Sequence, residues 1–236
     1  MLITLKIIPN IFTLLNLFCG CISIIFLQYK NFNHSAVFTL FSIIFDLLDG
    51  LFSRLIKNKN PFGKELDSLA DMVSFGLVPS IIVFILLKKI TPIPFIEYSA
   101  FFISIISAWR LAKFNITPNN NYVVGLTTPV NALFFSSLSV IITNHAIFFS
   151  NKKIIYFITM LFMIFFSCYF LISKITMFSL NFENFSWKKN KMRYFFLLIS
   201  TFLLLTLHVI ALPCIIVFYI ITSIYFHKKL KQKNSY

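Results

Sequence analysis

The chain has 236 residues, 58% hydrophobic and only 12% charged, with a net charge of +14 at pH 7. Soluble domains are about 45–50% apolar and about 25% charged, so this composition excludes a soluble globular protein and indicates an all-α, polytopic membrane protein. The basic residues are dispersed between apolar runs rather than gathered in one stripe, which excludes a nucleic-acid partner; they read as topology signals and contacts to anionic membrane lipids.

In chain order, residues 1–9 (MLITLKIIP) form an expected interfacial segment, with Pro9 suited to a helix start. Lys6 before an apolar run imitates a signal peptide, but no small-x-small site follows, so an uncleaved first span is expected. Span 1 is expected from about Asn10 to Gln28, span 2 from about Ser35 to Ile56, and span 3 from about Leu66 to Leu87. A polar turn, KNKNPFGK, separates the second and third, and Gly63 precedes the third helix to permit a tight turn. Span 4 covers about Phe95 to Ala112. The stretch from Lys113 to Pro129 is the most loop-like, and spans 5 and 6 cover about Val130–Phe149 and Ile154–Ile172. A mixed segment leads to Arg193, and the last apolar block, Tyr194 to Phe226, has 33 residues. One helix of that length overshoots a bilayer core of about 30 Å at about 1.5 Å per residue. His208 and Pro213 near its middle predict a hairpin over 194–227, giving eight spans; one kinked helix, giving seven, is the alternative. A basic tail, 228–236, follows.

Charge counting discriminates between these. With eight spans, sixteen of the 21 Lys and Arg fall on one side, and Lys30, Lys88, Lys89, Lys152 and Lys153 on the other. The positive-inside rule then places the turn between spans 2 and 3, and both chain ends, at the cytoplasmic face of the inner membrane. Seven spans would put the basic C-terminus outside.

The acidic residues are concentrated where the chain is otherwise most apolar. Of seven in the whole chain, five lie between Asp46 and Asp71: Asp46, Asp49, Glu65, Asp67 and Asp71. An uncompensated ion in such surroundings costs about 2.5–3.5 kcal/mol on insertion scales. Asp46 and Asp49 are i, i+3 on a helix, and Asp67 and Asp71 are i, i+4, so each pair shares a face. Antiparallel neighbours joined by a short turn would bring four carboxylates to one point at interface depth. They repel one another unless a cation neutralises them, and all-oxygen ligands favour Mg²⁺ or Mn²⁺, with two ions natural for four shared carboxylates. Gly50 leaves room for a ligand and Arg54 suits a phosphate. Glu65 is set aside as a water-facing loop residue. The four cysteines are scattered in apolar spans and read as inert thiols. A cation or proton transporter is the rival class, but no repeat is evident and the carboxylates flank a loop rather than the midplane.

The spacing D-x2-D-G-x2-[A/S]-R-x8-G-x3-D-x3-D, carried by Asp46, Asp49, Gly50, Ser53, Arg54, Gly63, Asp67 and Asp71, resembles that of the CDP-alcohol phosphatidyltransferases. Ser53 departs from the family's usual Ala. Four blocks, PNIFTLLNLFCG (9–20), GKELDSLADMVSFGLVP (63–79), RLAKFN (110–115) and GLTTPVNALF (125–134), further resemble the bacterial branch whose acceptor is L-serine. The resemblance implies one membrane domain over 1–236, with a six-helix core within 10–174 plus two C-terminal helices. It implies CDP-diacylglycerol and L-serine as substrates, and a homodimer. It implies two divalent ions on Asp46, Asp49, Asp67 and Asp71, with Asp71 also taking the serine hydroxyl proton. Asp49, Gly50, Ser53, Arg54 and Gly63 would line the nucleotide pocket. Asn10 and Thr13 are further candidates to reach the nucleotide, though helix-cap roles explain them equally. Arg110 and Lys113 are candidates for the acceptor, or anchors at a span end. Glycerol phosphate or inositol phosphate are alternative acceptors.

Overall fold

The computed structural model describes residues 2–56, 61–91, 93–117, 124–144, 153–178 and 187–233. The first half of the KNKNPFGK turn, part of the polar 113–129 stretch, and most of the segment before Trp187 lie outside them. The described residues form eight helical rods and no strand, with one isolated bridge between Val124 and Thr176. The rods are α1 (Leu2–Gln28), α2 (Phe32–Leu55), a continuous rod of α3 (Pro61–Asp71), a π-helical turn (Met72–Leu77) and α4 (Val78–Ile90), then α5 (Phe102–Ile116) entered through a 3₁₀ turn (Ile96–Phe101). α6 (Thr128–Asn144), α7 (Lys153–Ile172), α8 (Trp187–Leu207) and α9 (Ala211–Lys233) complete them. Five rods are long and apolar enough to cross a membrane, and Met192–Leu207 is a shorter apolar helix. This is a polytopic helical membrane protein.

The rod Pro61–Ile90 is the centre of the bundle. It is 61% buried over its most apolar window, against 22–33% for the other four spanning helices. Val78, Ile82, Val83, Leu86, Leu87 and Ile90 make its buried core with Ile103, Phe135, Met160 and Ile164 from the surrounding helices. Lipid tails are as apolar as these side chains, so close packing and interhelical hydrogen bonds hold the rods together. Small polar residues fill the contacts. Ser23 hydrogen-bonds Ser35 at 2.8 Å and Thr39 at 3.1 Å between α1 and α2, and Ser104 of α5 hydrogen-bonds Ser80 of α4 at 2.7 Å. Phe18, Phe41, Phe162, Phe165 and Phe202 are exposed on the outside, as lipid-facing residues are.

Three expectations are corrected. Pro9 does not start a helix: it lies inside α1, which begins at Leu2. Its missing N–H costs one ladder bond, a loss tolerated where neighbouring helices and side chains satisfy the backbone. Gly63 does not precede the third rod; the helix already begins at Pro61, a residue suited to a helix start, so Gly63 sits in its first turn. Third, α2 and α3 touch each other little; α1 packs along both and bridges them.

The last apolar block breaks at a 3₁₀ turn, His208–Ile210, where His208 adopts φ 49°, while Pro213 falls in the first turn of α9. α9 packs on α8 through Phe196, whose ring stacks on Phe218 at 5.5 Å. It seats on the segment after α7 as well: Tyr219 donates to the Phe178 carbonyl at 3.1 Å, and Ser223 accepts from the Phe178 N–H at 3.1 Å. At Gly125 the chain turns with φ +74°, and a Cβ there would lie 2.8 Å from the Leu171 carbonyl oxygen, so only glycine fits.

Candidate active site

The aspartates are placed by two helix termini. Asp46 and Asp49 lie in the last three turns of α2 and Asp67 and Asp71 in the second half of α3, with Asp71 its final residue. Asp46, Asp49 and Asp67 each present a carboxylate oxygen within 4.8 Å of the others, the one such acidic group among the described residues. Asp71 lies beside Asp46. Asp49 and Asp71 are 6% and 8% exposed, so the cluster is withdrawn from solvent rather than displayed on a face.

α1 contributes what the sequence did not assign. Thr13 and Asn16, one turn apart, are buried on its inner face. Thr13 donates its hydroxyl to Asp49 Oδ2 at 2.8 Å, and Asn16 Nδ2 donates to Asp71 Oδ1 at 3.1 Å. Thr13 therefore holds an aspartate instead of capping a helix. Asn10 is half-buried one turn earlier on the same helix. The Asn16 carbonyl in turn accepts Ser42 Oγ of α2 and Ser74 Oγ of the π turn, each at 3.0 Å. One residue thereby ties α1 to α2 and to the π turn that directly follows Asp71. Gly20, one turn on, lets α1 reach the π turn: a Cβ there would stand 2.2 Å from Ser74 Oγ and 3.0 Å from Ser74 Cα. Asn16 was detectable as an amide three residues after Thr13 in an otherwise apolar span.

The π turn matters geometrically. It begins at Met72, directly after Asp71, and buries Ser74, Phe75 and Gly76. Its extra residue re-phases the rod, so that Asp71 meets Asn16 of α1 and Asp67 the carboxylates of α2, while Val78 and Ile82 further along face the core; π turns of this kind occur often at functional sites.

The remaining candidates divide. Arg54 is exposed at the end of α2, and its Nε donates to the Gly50 carbonyl at 2.9 Å, laying the guanidinium along its own helix end. Ser53 and Gly63 are half-buried on α2 and α3. Arg110 of α5 points inward: its Nε is buried without a partner, and the guanidinium lies within electrostatic reach of Asp71 and Tyr219. Lys113 is exposed. Asn115, from the same block, ties α5 to α3: its carbonyl accepts Lys64 Nζ at 2.6 Å, and its amide donates to Ser68 Oγ at 2.9 Å and to Glu65 at 3.2 Å.

The donor set suits a hard divalent cation. Three converging carboxylates supply only oxygen, and Asp67 Oδ1 is buried with no hydrogen-bond partner, as a ligand atom awaiting a cation would be.

Residues 6–225 match the profile of the family described as CDP-alcohol phosphatidyltransferase. The chain is similar to a Helicobacter pylori protein named CDP-diacylglycerol–serine O-phosphatidyltransferase, 36% identical over 132 residues, covering 55% of each chain. A Bacillus subtilis protein of the same name is 40% identical over 111 residues, which cover 46% of this chain and 61% of that one. An archaetidylserine synthase of Methanothermobacter thermautotrophicus is 30% identical over 133 residues, covering 55% and 56%. The chain thus spans little more than half the length of the curated relatives it matches.

Proposed function

The chain belongs to the CDP-alcohol phosphatidyltransferase family, and from that premise we propose that it transfers the phosphatidyl group of CDP-diacylglycerol to the hydroxyl of L-serine, giving phosphatidylserine and CMP. The names of its relatives support serine as the acceptor. The observation that carries the proposal is the convergence of Asp46, Asp49 and Asp67 within 4.8 Å, with Asp71 beside them on the same two helix ends.

In this mechanism Asp46, Asp49, Asp67 and Asp71 would hold two divalent ions, Mg²⁺ or Mn²⁺. Bound there, such ions supply charge neutralisation for the diphosphate and the leaving CMP. The chain's own residues do the rest. Asp71 accepts the proton of the serine hydroxyl as its oxygen bonds to the phosphatidyl phosphorus, and the bond from that phosphorus to the CMP oxygen breaks. Asn16 fixes the Asp71 carboxylate through the 3.1 Å bond, and Thr13 fixes Asp49. Gly50, Ser53, Arg54 and Gly63, with Asn10 of α1, line the nucleotide side, where Arg54 pairs with phosphate. The diacyl chains enter sideways from the bilayer. The site faces the cytoplasm of the inner membrane, with both chain ends on that side; the excess of Lys and Arg there supports this.

Purified full chain, CDP-diacylglycerol, Mn²⁺ or Mg²⁺ and labelled serine test the proposal by CMP release. Stoichiometric CMP and labelled lipid are expected. CMP with glycerol 3-phosphate but not serine overturns the acceptor, and no CMP with any alcohol overturns the transferase.

A further inference from the structure

Asp67 stands at the end of the second turn of α3, and little of its own fixes it there. Its Oδ1 is buried with no partner in the protein. α2, which carries the other two members of the oxygen triad, touches α3 little. α1 packs along α3 and holds Asp71, one turn further on, through Asn16. The Asp67 carboxylate therefore goes where the backbone of α3 puts it, and that backbone needs a second hold.

Asn115, in the last turn of α5, supplies one. Three bonds from α3 converge on it. Its Nδ2 donates to Ser68 Oγ at 2.9 Å and to Glu65 Oε2 at 3.2 Å. Its backbone carbonyl accepts Lys64 Nζ at 2.6 Å. Chemistry fixes the amide orientation, because only the NH2 can face a carboxylate, and both of its hydrogens are then used on α3. The carbonyl is among the last four of its helix, which lack an intrahelical partner, and a lysine there complements the helix dipole. Ser68 Oγ donates in turn to the Lys64 carbonyl at 3.2 Å, so the four residues form one network. Ser68 adjoins Asp67 in the chain and Lys64 precedes it by about one turn, so the network brackets the carboxylate.

Resting on the metal-assisted transfer proposed above, we propose that Asn115 is a positioning residue. By fastening Lys64, Glu65 and Ser68 to α5 it sets the place of the Asp67 carboxylate against Asp46 and Asp49. Asp71 depends on Asn16 instead, so Asn115 governs metal affinity and not the proton-accepting step. This gives the asparagine that ends the RLAKFN stretch a role apart from any contact with substrate.

The test measures Mn²⁺ binding to the purified full chain without substrate, by the electron paramagnetic resonance of free Mn²⁺, beside CMP release at saturating Mn²⁺. Asn115→Leu removes both amide bonds and keeps the carbonyl that Lys64 uses. It should weaken Mn²⁺ binding about tenfold and leave kcat at saturating Mn²⁺ within about threefold. Ser68→Ala deletes one hydroxyl and should weaken binding about threefold; it carries the test should Asn115→Leu fail to fold. The double variant should bind Mn²⁺ within about twofold of Asn115→Leu alone, because both changes break the same bond. Mn²⁺ affinity within about twofold of wild type in the single variants overturns the proposal, and so do losses that multiply in the double variant. A kcat lowered more than about tenfold with Mn²⁺ affinity unmoved assigns Asn115 to the substrate and overturns it equally. Wild-type protein that binds Mn²⁺ but releases no CMP removes the transferase, while the binding series still decides on Asn115. Wild-type protein that binds no Mn²⁺ removes both.

Discussion

Thr13 Oγ1 stands 2.8 Å from Asp49 Oδ2, a hydrogen bond between residues 36 apart in the chain. It orients one carboxylate of the cluster from a helix that carries no acid itself. Removing it by Thr13→Val leaves the shape nearly unchanged. We expect a stability loss of about 1 kcal/mol and a fall of about 10–100-fold in apparent metal affinity, with Thr13→Ser restoring both. Titrating activity against Mn²⁺ measures it: a curve unmoved from wild type would remove Thr13 from the site.

Asp71 differs from the other three aspartates. It lies outside the tight oxygen triad and is held by Asn16. Asp71→Asn should lower turnover by at least about 100-fold while retained CDP-diacylglycerol binding shows an intact nucleotide side. Turnover within about tenfold of wild type would assign the base elsewhere.

The contrast between these residues shows how much was legible beforehand. Hydropathy and charge gave the helical membrane class, because a bilayer admits few alternatives. The four aspartates were legible because acids in apolar runs are expensive. Thr13 was a candidate without a partner, and Asn16 was not singled out: one buried amide in a helix says nothing of which helix it meets. That depended on α1 lying between α2 and α3, a tertiary arrangement the short connecting turn did not reveal. The π turn was equally hidden, since MVSFGL reads as ordinary apolar helix until its hydrogen bonds are drawn.

Gly20 is the contact on which that arrangement rests. With Ser74 Oγ 2.2 Å and Ser74 Cα 3.0 Å from its missing Cβ, Gly20→Ala must push α1 off the π turn. Overpacking of this kind costs about 1–3 kcal/mol. It would also strain the Ser74–Asn16 bond, so activity should fall together with thermal stability. Ser74→Gly in the Gly20→Ala background removes the Oγ and Cβ that clash and should recover part of the stability, while the activity that depends on the Ser74–Asn16 bond stays low. A Gly20→Ala protein as stable and active as wild type would show that the helices separate freely.

Topology can be read chemically. Lys30 lies in the exposed turn between α1 and α2, and Lys113 is exposed near the end of α5. In a background with Cys19, Cys21, Cys168 and Cys214 replaced, an impermeant maleimide should label Lys30→Cys in intact cells and Lys113→Cys only after lysis. The opposite pattern would invert the membrane orientation and place the aspartates outside.

The last prediction separates stability from activity at the cluster. Asp46, Asp49 and Asp67 hold oxygens within 4.8 Å of one another, and Asp67 Oδ1 has no protein partner. Without a cation, three like charges in a medium of low dielectric repel, so the metal-free fold is held together against its own site. Asp67→Asn removes one charge while keeping the shape. It should therefore raise the melting temperature of chelator-treated protein and abolish the further rise that Mn²⁺ gives the wild type. Binding at a hundredfold excess over Kd is worth about 2.7 kcal/mol, enough to shift a melt measurably. The same variant should lose at least about 100-fold in CMP release. A stabilised, inactive and metal-insensitive protein is the expected outcome. An Asp67→Asn protein that is less stable than wild type under chelation would mean that the carboxylate serves the fold rather than a cation.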